Sequence, residues 1–515
     1  MNQIMRYTPG HTGRRPGTAT GIALALAGLV VAVVAPPGRS QAAEPSSPPR
    51  TGAVTALPAP FNQWDVHLGP RSGEDGALTL AYTSPALGRR TENTVYLPSR
   101  YTPDGPALPV LYFLHGTVAP PFDNPALHPA TSQEFLLDMV ASGGGDIQTR
   151  LEDFPGQRER ARFVVVAPDT ARADNWCQTC VWINGIKPAV PGQPPLRARE
   201  VPAETVLDSE VRPLVEHLFN VRTDRAGRGI IGFSMGAVGA LIQILRHPDQ
   251  YAYAAAISGP VNFVDDPFWR TWVDFVGYAR DQGYGNSATD ADRWRTFNPL
   301  DLMRNLAGTG TPVTITAGDA CLQPTDEAGK QDCDRHPPVR NPFATMIETQ
   351  MRRNNDTYAA AVAASGVDAD QLRFSGIHGA NNHRVYADVI VPAANAAFAH
   401  PKAVAETFSY RSGDPVFSVW GYTVDTHRPD FGVFTILDAR HDGTAFAITG
   451  TGPVDVTTPA TFGPGRPYSV TMSGSGAVSP RVVRADNAGR IRLDGLPLPP
   501  AGSAPNHITV TITPG

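Results

Sequence analysis

The sequence predicts an α/β fold with a doubly wound, mostly parallel sheet, followed by a small all-β sandwich. Short, continuous apolar runs alternate with helical stretches up to about Pro401. From Thr407 onward the segments are shorter, alternate between apolar and polar residues, and are separated by Gly and Pro turns. Strands of a parallel sheet are continuous apolar runs because helices cover both faces, whereas the strands of a sandwich bury one face.

The predicted elements follow in chain order. TLAYTSPALGRRTENTVYLP is predicted to form a hairpin, and five apolar runs are predicted as buried parallel strands: LPVLYFLHG, ARFVVVAPD, GRGIIGFSMG, YAAAISG and PVTITAGD. Helices are predicted between them at VLDSEVRPLVEHLF, AVGALIQILRHP and FATMIETQMRRN. The predicted sandwich strands are FSVWGYTV, GVFTILDA, TAFAITG, YSVTMS, RIRLDGL and HITVTIT.

Composition limits the class of protein. The chain has 515 residues, a length that predicts two or three domains. Hydrophobic residues make up 41% of it, which is enough to form a core. With 43 basic and 48 acidic residues it lacks the basic excess of nucleic-acid-binding proteins, and no nucleic-acid partner is expected.

The N-terminus predicts export. Residues 1–43 are predicted to be a signal peptide, because basic residues precede an apolar run, 21–35, that is shorter than the roughly 20 residues of a membrane span. Ser40, Ala42 and Ala43 suit cleavage, although an uncleaved anchor and either export route stay open. We therefore expect a secreted protein, extracellular or associated with the cell wall, that does not span the membrane after cleavage.

Three further segments follow the signal peptide. Residues 44–70 are rich in Pro, Ser and Ala and are predicted to be a linker. Residues 71–402 contain the strands and helices of the α/β domain, and residues 403–515 are predicted to form the sandwich.

The chain has four cysteines, and export makes disulfides plausible. We predict local pairs, Cys177 with Cys180 and Cys321 with Cys333, although four cysteines allow three connectivities. The second pair is too widely spaced for a zinc site, and no metal is expected.

The segment Gly232–Gly236 matches the pattern G-x-S-x-G, with Ser234 at its centre. An apolar strand precedes it and an amphipathic helix follows, which is the context of the sharp turn that exposes a nucleophilic serine in α/β-hydrolases. A serine hydroxyl needs a base to remove its proton, and in this fold the acid and then the histidine follow the serine along the chain.

The base and the acid each have two candidates. His378 and His383 lie together near the end of the α/β region, and the residues alone do not decide between them. Asp319 ends the strand PVTITAGD, where such folds commonly place the acid, and Glu348 in a predicted helix is the alternative. Backbone N–H groups of Met235 and Thr117 are predicted to form the oxyanion hole.

The α/β region resembles the esterase D-like family, and most closely the secreted antigen 85 mycolyltransferases. The resemblance extends from about Tyr82 to Phe398 and is carried by five segments: SPALGR, VLYFLHGT, Cys177-Gln178-Thr179, GFSMGAVGAL and YAAAISG. It implies a glutamate as the acid, because Glu348, Arg353, Asn355, Thr357 and Tyr358 reproduce the family's spacing. It also implies His383, ahead of a C-terminal helix, as the base in preference to His378.

Three features depart from the family. Val385 replaces a tryptophan, His115-Gly116 replaces Asp-Gly in the oxyanion turn, and the arginine that follows this turn in the family is lost to the sequence VAPP. In the family these positions shape the pocket for trehalose.

Together these features predict a secreted serine esterase or acyltransferase acting on acyl esters of lipids or glycans, through Ser234, His383 and Glu348, an acyl-enzyme and no cofactor. Mycolyltransferase-type transfer to a sugar hydroxyl is one alternative. The other is a non-catalytic protein that binds the cell wall or matrix, with Phe417, Trp420 and Tyr422 as a sugar platform or, more simply, as core residues.

Overall fold

The computed structural model describes residues 52–53, 57–70, 77–117, 160–168, 180–185, 201–275, 283–324, 326–380, 382–474, 480–498 and 507–515. The predicted signal peptide, 1–43, and Cys177 lie outside these residues.

The α/β region is built on a ten-stranded sheet with the strand order β1-β2-β3-β4-β6-β5-β7-β8-β9-β10. Its strands are β1 Gly52–Ala53, β2 His67–Pro70, β3 Ala77–Ser84, β4 Arg89–Tyr96, β5 Val110–Leu114, β6 Val164–Ala167, β7 Arg228–Phe233, β8 Tyr253–Ile257, β9 Pro312–Gly318 and β10 Asp368–Phe374. In the sheet order, neighbouring strands pair in parallel from β6 to the β10 edge. Neighbouring strands from the β1 edge to β6 pair antiparallel.

Helices cover both faces of this sheet. They are α1 Ala203–Thr205, α2 Arg212–Leu218, α3 Met235–Arg246, α4 Pro267–Phe275, α5 Ala291–Phe297, α6 Pro299–Leu302, α7 Glu327–Arg335, α8 Pro342–Ala364, α9 Asn382–Val385 and α10 Val391–Ala399, with π-helical turns at Val206–Val211 and Tyr386–Ile390. Alternate residues of β5 and β7 enter two separate cores, one containing Leu241 of α3 and the other containing Phe398 of α10. This arrangement confirms the predicted doubly wound, mostly parallel sheet.

Part of the predicted linker, 44–70, belongs to this fold. Strand β2 pairs with β3, and Trp64 and Val66 are buried in the core on the α3 side of the sheet. The composition of the segment suggested a linker, but two apolar side chains anchor its described part, 57–70, to the sheet.

The C-terminal region forms two antiparallel sheets around one core. The strands are β11 Thr407–Ser412, β12 Val416–Val419, β13 Tyr422–Asp425, β14 Phe434–Arg440, β15 Ala445–Thr449, β16 Gly452–Thr457, β17 Pro467–Gly474, β18 Arg481–Arg484, β19 Arg492–Leu498 and β20 His507–Pro514. The sheet orders are β11-β14-β15-β20-β17-β18 and β12-β13-β16-β19. Phe417 and Tyr422 are buried in the core, and Trp420 packs on Phe408 and His441. Phe417 and Tyr422 are therefore core residues, and Trp420, which is half-buried, also faces Arg225 of the α/β region, so the three do not form an exposed platform.

A charged cluster joins the sandwich to the α/β region at the C-terminal end of α3. Arg246 Nη1 lies 2.7 Å from Asp414 Oδ2 of the sandwich, and Arg246 Nε lies 3.1 Å from Glu204 Oε1. The Tyr410 hydroxyl donates to the carbonyl of Arg246 over 2.7 Å. The sandwich thus docks on the helix that begins next to Ser234.

The predicted disulfides and membrane spans can be compared with the structure. The predicted disulfide between Cys321 and Cys333 is present, and Cys180 is also disulfide-bonded. Over the part of the chain that the structure describes, no helix combines the length and apolar character needed to cross a bilayer.

Candidate active site

Ser234 occupies a sharp turn between β7 and α3, as the sequence predicts. Its φ and ψ angles are 55° and −117°, a region that non-glycine residues rarely adopt. A Cβ on Gly232 would lie 2.1 Å from the Gly236 oxygen, and a Cβ on Gly236 would lie 1.9 Å from the Leu114 oxygen. Both glycines of the motif are therefore required by the close approach of the backbone.

A continuous hydrogen-bond chain links Ser234 to a buried carboxylate. His378 Nε2 lies 2.9 Å from Ser234 Oγ, and His378 Nδ1 lies 2.7 Å from Glu348 Oε2. The Glu348 side chain is fully buried, and His378 is nearly so. When the carboxylate is ionised it can only accept, so Nδ1 carries the proton and Nε2 accepts from the serine hydroxyl.

The loop after β10 carries His378. Its backbone N–H donates to the Ala344 carbonyl over 3.2 Å, and its ring packs on Phe233 with 4.8 Å between ring centroids. The backbone of His383 lies in α9, and its side chain is outside the described residues. Of the two candidate bases, the structure brings His378 to both Ser234 and Glu348.

The carboxylate of Glu348 is held from several sides. Its Oε1 atom accepts from the Ser258 hydroxyl over 2.7 Å and also from the backbone N–H of Gly318. Sequence reasoning missed Ser258, although its position directly after β8 at the same sheet edge as Ser234 could have indicated it.

Asp319 has a different environment. It is buried, and its Oδ1 atom accepts from the backbone N–H groups of Cys321 and Gly376 over 2.8 Å and 3.1 Å. Its Oδ2 atom accepts from the N–H of Gln323 over 3.3 Å. The Asp319 carboxylate therefore stabilises the turn after β9. The carboxylate oxygen that faces His378 Nδ1 belongs to Glu348.

Of the two expected oxyanion residues, one follows the nucleophile in the chain and the other follows a glycine that approaches it. Met235 is the first residue of α3, directly after Ser234. Thr117 follows Gly116, where an added Cβ would be 3.1 Å from Ser234 Cβ. The turn after β5 is fixed by Trp182, whose Nε1 atom donates to the His115 carbonyl over 3.1 Å.

Asn354 was also not identified from the sequence; it precedes Asn355, one of the residues whose spacing from Glu348 resembles the family. Its buried side chain accepts from the backbone N–H groups of Val261 and Asn262 and donates to Asp266 Oδ2 over 3.0 Å. It joins α8, which carries Glu348, to the segment after β8. Arg353, by contrast, is exposed.

Two groups of residues in the described chain have the spacing of metal ligands. Asp319 lies near Cys321 and Cys333, but the two sulfur atoms are joined in a disulfide. The second group is Glu204, Asp208 and His247, whose carboxylates already face His247 and Arg246. The pKa of His247 is raised, because these carboxylates outweigh the effect of burial.

Comparison with known proteins finds one matching family, and relatives named as an esterase and as acyltransferases. The family described as "Putative esterase" matches residues 84–381. The Mycobacterium tuberculosis (strain CDC 1551 / Oshkosh) protein named Esterase MT1326 is 25% identical over 310 residues, which cover 58% of this chain and 54% of the relative. The Mycobacterium avium diacylglycerol acyltransferase/mycolyltransferase Ag85C is 29% identical over 153 residues, which cover 29% of this chain and 40% of the relative. The chain spans about half the length of the curated relatives it matches.

The solved structures to which the chain is similar include an S-formylglutathione hydrolase from Agrobacterium tumefaciens, with 14% identity and a TM-score of 0.40 over 64% of this chain and 98% of that chain. Mycobacterium tuberculosis MPT51 (FbpC1) has 15% identity and a TM-score of 0.39 over 62% of this chain and 96% of that chain.

Proposed function

The chain belongs to the Esterase family, and from that premise we propose that it is a secreted serine esterase or acyltransferase in which Ser234, His378 and Glu348 form the catalytic triad. The observation that carries the proposal is the hydrogen-bond chain from the Ser234 hydroxyl through the His378 ring to Glu348. The family supports the general reaction, a carboxylic ester hydrolysis or acyl transfer. The roles of the individual residues are inferred from their geometry.

In the proposed reaction, His378 Nε2 takes the hydroxyl proton while Ser234 Oγ attacks the ester carbonyl carbon. Glu348 accepts from Nδ1–H, which holds the ring in the required tautomer and stabilises its positive form. His378 then gives the proton to the leaving alcohol, and an acyl-enzyme remains. Water or another hydroxyl, deprotonated in turn by His378, completes the cycle.

The negative charge on the carbonyl oxygen would be stabilised by the backbone N–H groups of Met235 and Thr117. The start of α3 supports this role, because helix N-termini attract negative charge. The close approach of Gly116 to Ser234 supports the position of Thr117. Loss of one such donor typically costs about 2.7–4 kcal/mol of transition-state stabilisation.

This proposal revises the base from His383 to His378. The resemblance favoured His383 because it precedes a helix, but the nucleophile and the carboxylate both lie at the edge where the parallel strands end. A residue on the loop directly after β10 reaches that edge, and His378 lies there.

The proposed substrates are acyl esters of lipids or glycans outside the cell. Relatives are named as an esterase and as diacylglycerol acyltransferase/mycolyltransferases, which supports both hydrolysis and transfer as outcomes. The predicted signal peptide, 1–43, and the disulfide between Cys321 and Cys333 support secretion. We assign catalysis to the domain of the ten-stranded sheet and treat residues 403–515 as its docked companion domain.

The first test is hydrolysis of a short-chain p-nitrophenyl ester by the purified protein and by Ser234→Ala. We expect activity in the first and none in the second, with unchanged circular dichroism in both. Activity that survives the substitution would exclude the mechanism, and a folded but inactive wild-type protein would favour a binding role. Adding trehalose or another polyol and measuring transacylated product then separates transfer from hydrolysis.

A further inference from the structure

The Ser258 side chain is placed where it can act on the carboxylate of Glu348. Ser258 is completely buried, and its hydroxyl donates to Glu348 Oε1 over 2.7 Å. The same oxygen accepts from the Gly318 backbone, while the other oxygen, Oε2, faces His378 Nδ1. The two oxygens of the carboxylate therefore have separate partners, with Oε1 held by the fold and Oε2 directed at the imidazole.

The backbone of Ser258, like that of Ser234, has a positive φ angle. Its φ angle is 53°, in the left-handed region that non-glycine residues seldom adopt, and its N–H donates to the Thr316 carbonyl over 2.8 Å. Strands β7 and β8 are paired in parallel with Phe233 opposite Ile257, so Ser234 and Ser258 leave neighbouring strands at the same level. Such strain persists where the surrounding structure fixes it and commonly marks functional positions.

We propose that Ser258 is a positioning residue, which fixes the carboxylate plane of Glu348 and stabilises its ionised form so that Oε2 orients His378. A carboxylate can rotate about its last side-chain bond, and a donor at Oε1 stops that rotation. A buried carboxylate also needs donors in place of water, since leaving a charged acceptor unsatisfied is costly. This inference rests on the proposed function, because it depends on Glu348 being the triad acid.

The test is steady-state kinetics of Ser258→Ala on the p-nitrophenyl ester across pH. We expect kcat and kcat/KM to fall together by about tenfold to a hundredfold, the range for a charged group that loses one hydrogen bond, with KM unchanged. We also expect the acid limb of the kcat/KM profile to move to higher pH by about one unit. A carboxylate that keeps only the Gly318 N–H at Oε1 binds a proton more readily and also holds the proton on His378 more strongly.

The chain provides a matched control at a second buried carboxylate, Glu210. Ser84 is completely buried, and its hydroxyl donates to the buried Glu210 Oε2 over 2.6 Å. Ser84→Ala removes the same kind of bond in the same kind of environment, so it should lower stability as Ser258→Ala does. It should leave kcat and the pH profile unchanged, because Glu210 does not contact His378.

Ser258→Gly separates the effect of losing the hydroxyl from the effect of the strained backbone. Glycine adopts a positive φ without strain, so this variant should be more stable than Ser258→Ala while losing as much activity. Recovery of activity in the glycine variant would overturn the inference in favour of a packing role, as would a pH profile in Ser258→Ala equal to that of the wild type. A wild-type protein without esterase activity, or an active Ser234→Ala, would instead overturn the proposed function.

Discussion

The ion pair between Arg246 and Asp414 gives a direct test of whether this contact holds the sandwich on the α/β region. The side chains are only 11% and 16% exposed, so water screens the pair weakly. Substituting Asp414→Asn keeps the size and one acceptor oxygen but removes the charge opposite the guanidinium. Glu204 remains beside Arg246 at 3.1 Å and compensates in part.

The expected loss follows from these contacts. Removing one partner of a buried ion pair costs about 3–5 kcal/mol when the other charge is left alone, and a single charged hydrogen bond contributes about 1.5–3 kcal/mol. Because Glu204 stays in place, we expect a loss of about 2–3 kcal/mol in the free energy of unfolding. In a urea titration followed by fluorescence this corresponds to a midpoint lower by about 1 M.

The control for this prediction is Asp494→Asn, on the same sandwich, which removes one of the two carboxylates paired with Arg492, in a pair that is 66% and 65% exposed. It should leave the urea midpoint unchanged. The kcat of folded Asp414→Asn should also match the wild type, since α3 places Arg246 roughly 18 Å from Ser234. Equal midpoints for Asp414→Asn, Asp494→Asn and the wild type would refute the view that this cluster holds the sandwich in place.

Three further predictions concern the triad acid, the stability of the protein at low pH, and the turn that carries Ser234. Glu348→Gln should lower kcat/KM by about 10³–10⁴, as expected for loss of the triad acid, whereas Asp319→Asn should lower it far less; equal losses would contradict the assignment. Arg246 and His247 outweigh burial and lower the pKa of Glu204 from 4.5 to about 2. The ionised Glu204 therefore contributes about 3 kcal/mol to the free energy of unfolding above pH 4.5, and this contribution is lost as the pH falls towards 2. In Glu204→Gln the free energy of unfolding, measured as a function of pH, should vary less over this range. Gly236→Ala should abolish activity, because its Cβ would lie 1.9 Å from the Leu114 oxygen, and a folded, active variant in circular dichroism and esterase assays would disprove this.

The sequence predicted the buried parts of the fold better than its edges. Strands β5 to β9 are continuous apolar runs, since both faces are covered, and each was predicted from that pattern. Strand β10 was not predicted, because this edge strand is polar and half-exposed and shows no apolar run. Strand β2 was missed since its segment has the composition of a linker.

The candidate site shows a similar division. The position of Ser234 follows from local geometry, because its glycines and flanking elements are adjacent in the chain. Choosing between His378 and His383 depends on where the chain leaves β10, which residue types do not reveal. The hydrogen bonds from Ser258 to Glu348 and from Val261 to Asn354 each join residues about 90 positions apart in sequence, so only the assembled sheet edge brings these partners together.

The most direct test of the central claim is covalent labelling of the nucleophile by an alkyl fluorophosphonate, followed by peptide mass spectrometry of the wild type, His378→Ala and His383→Ala. The account predicts a single adduct on Ser234 in the wild type, labelling slowed by several orders of magnitude in His378→Ala, and near-normal labelling in His383→Ala. An adduct on another residue, or equal labelling rates in His378→Ala and the wild type, would contradict it.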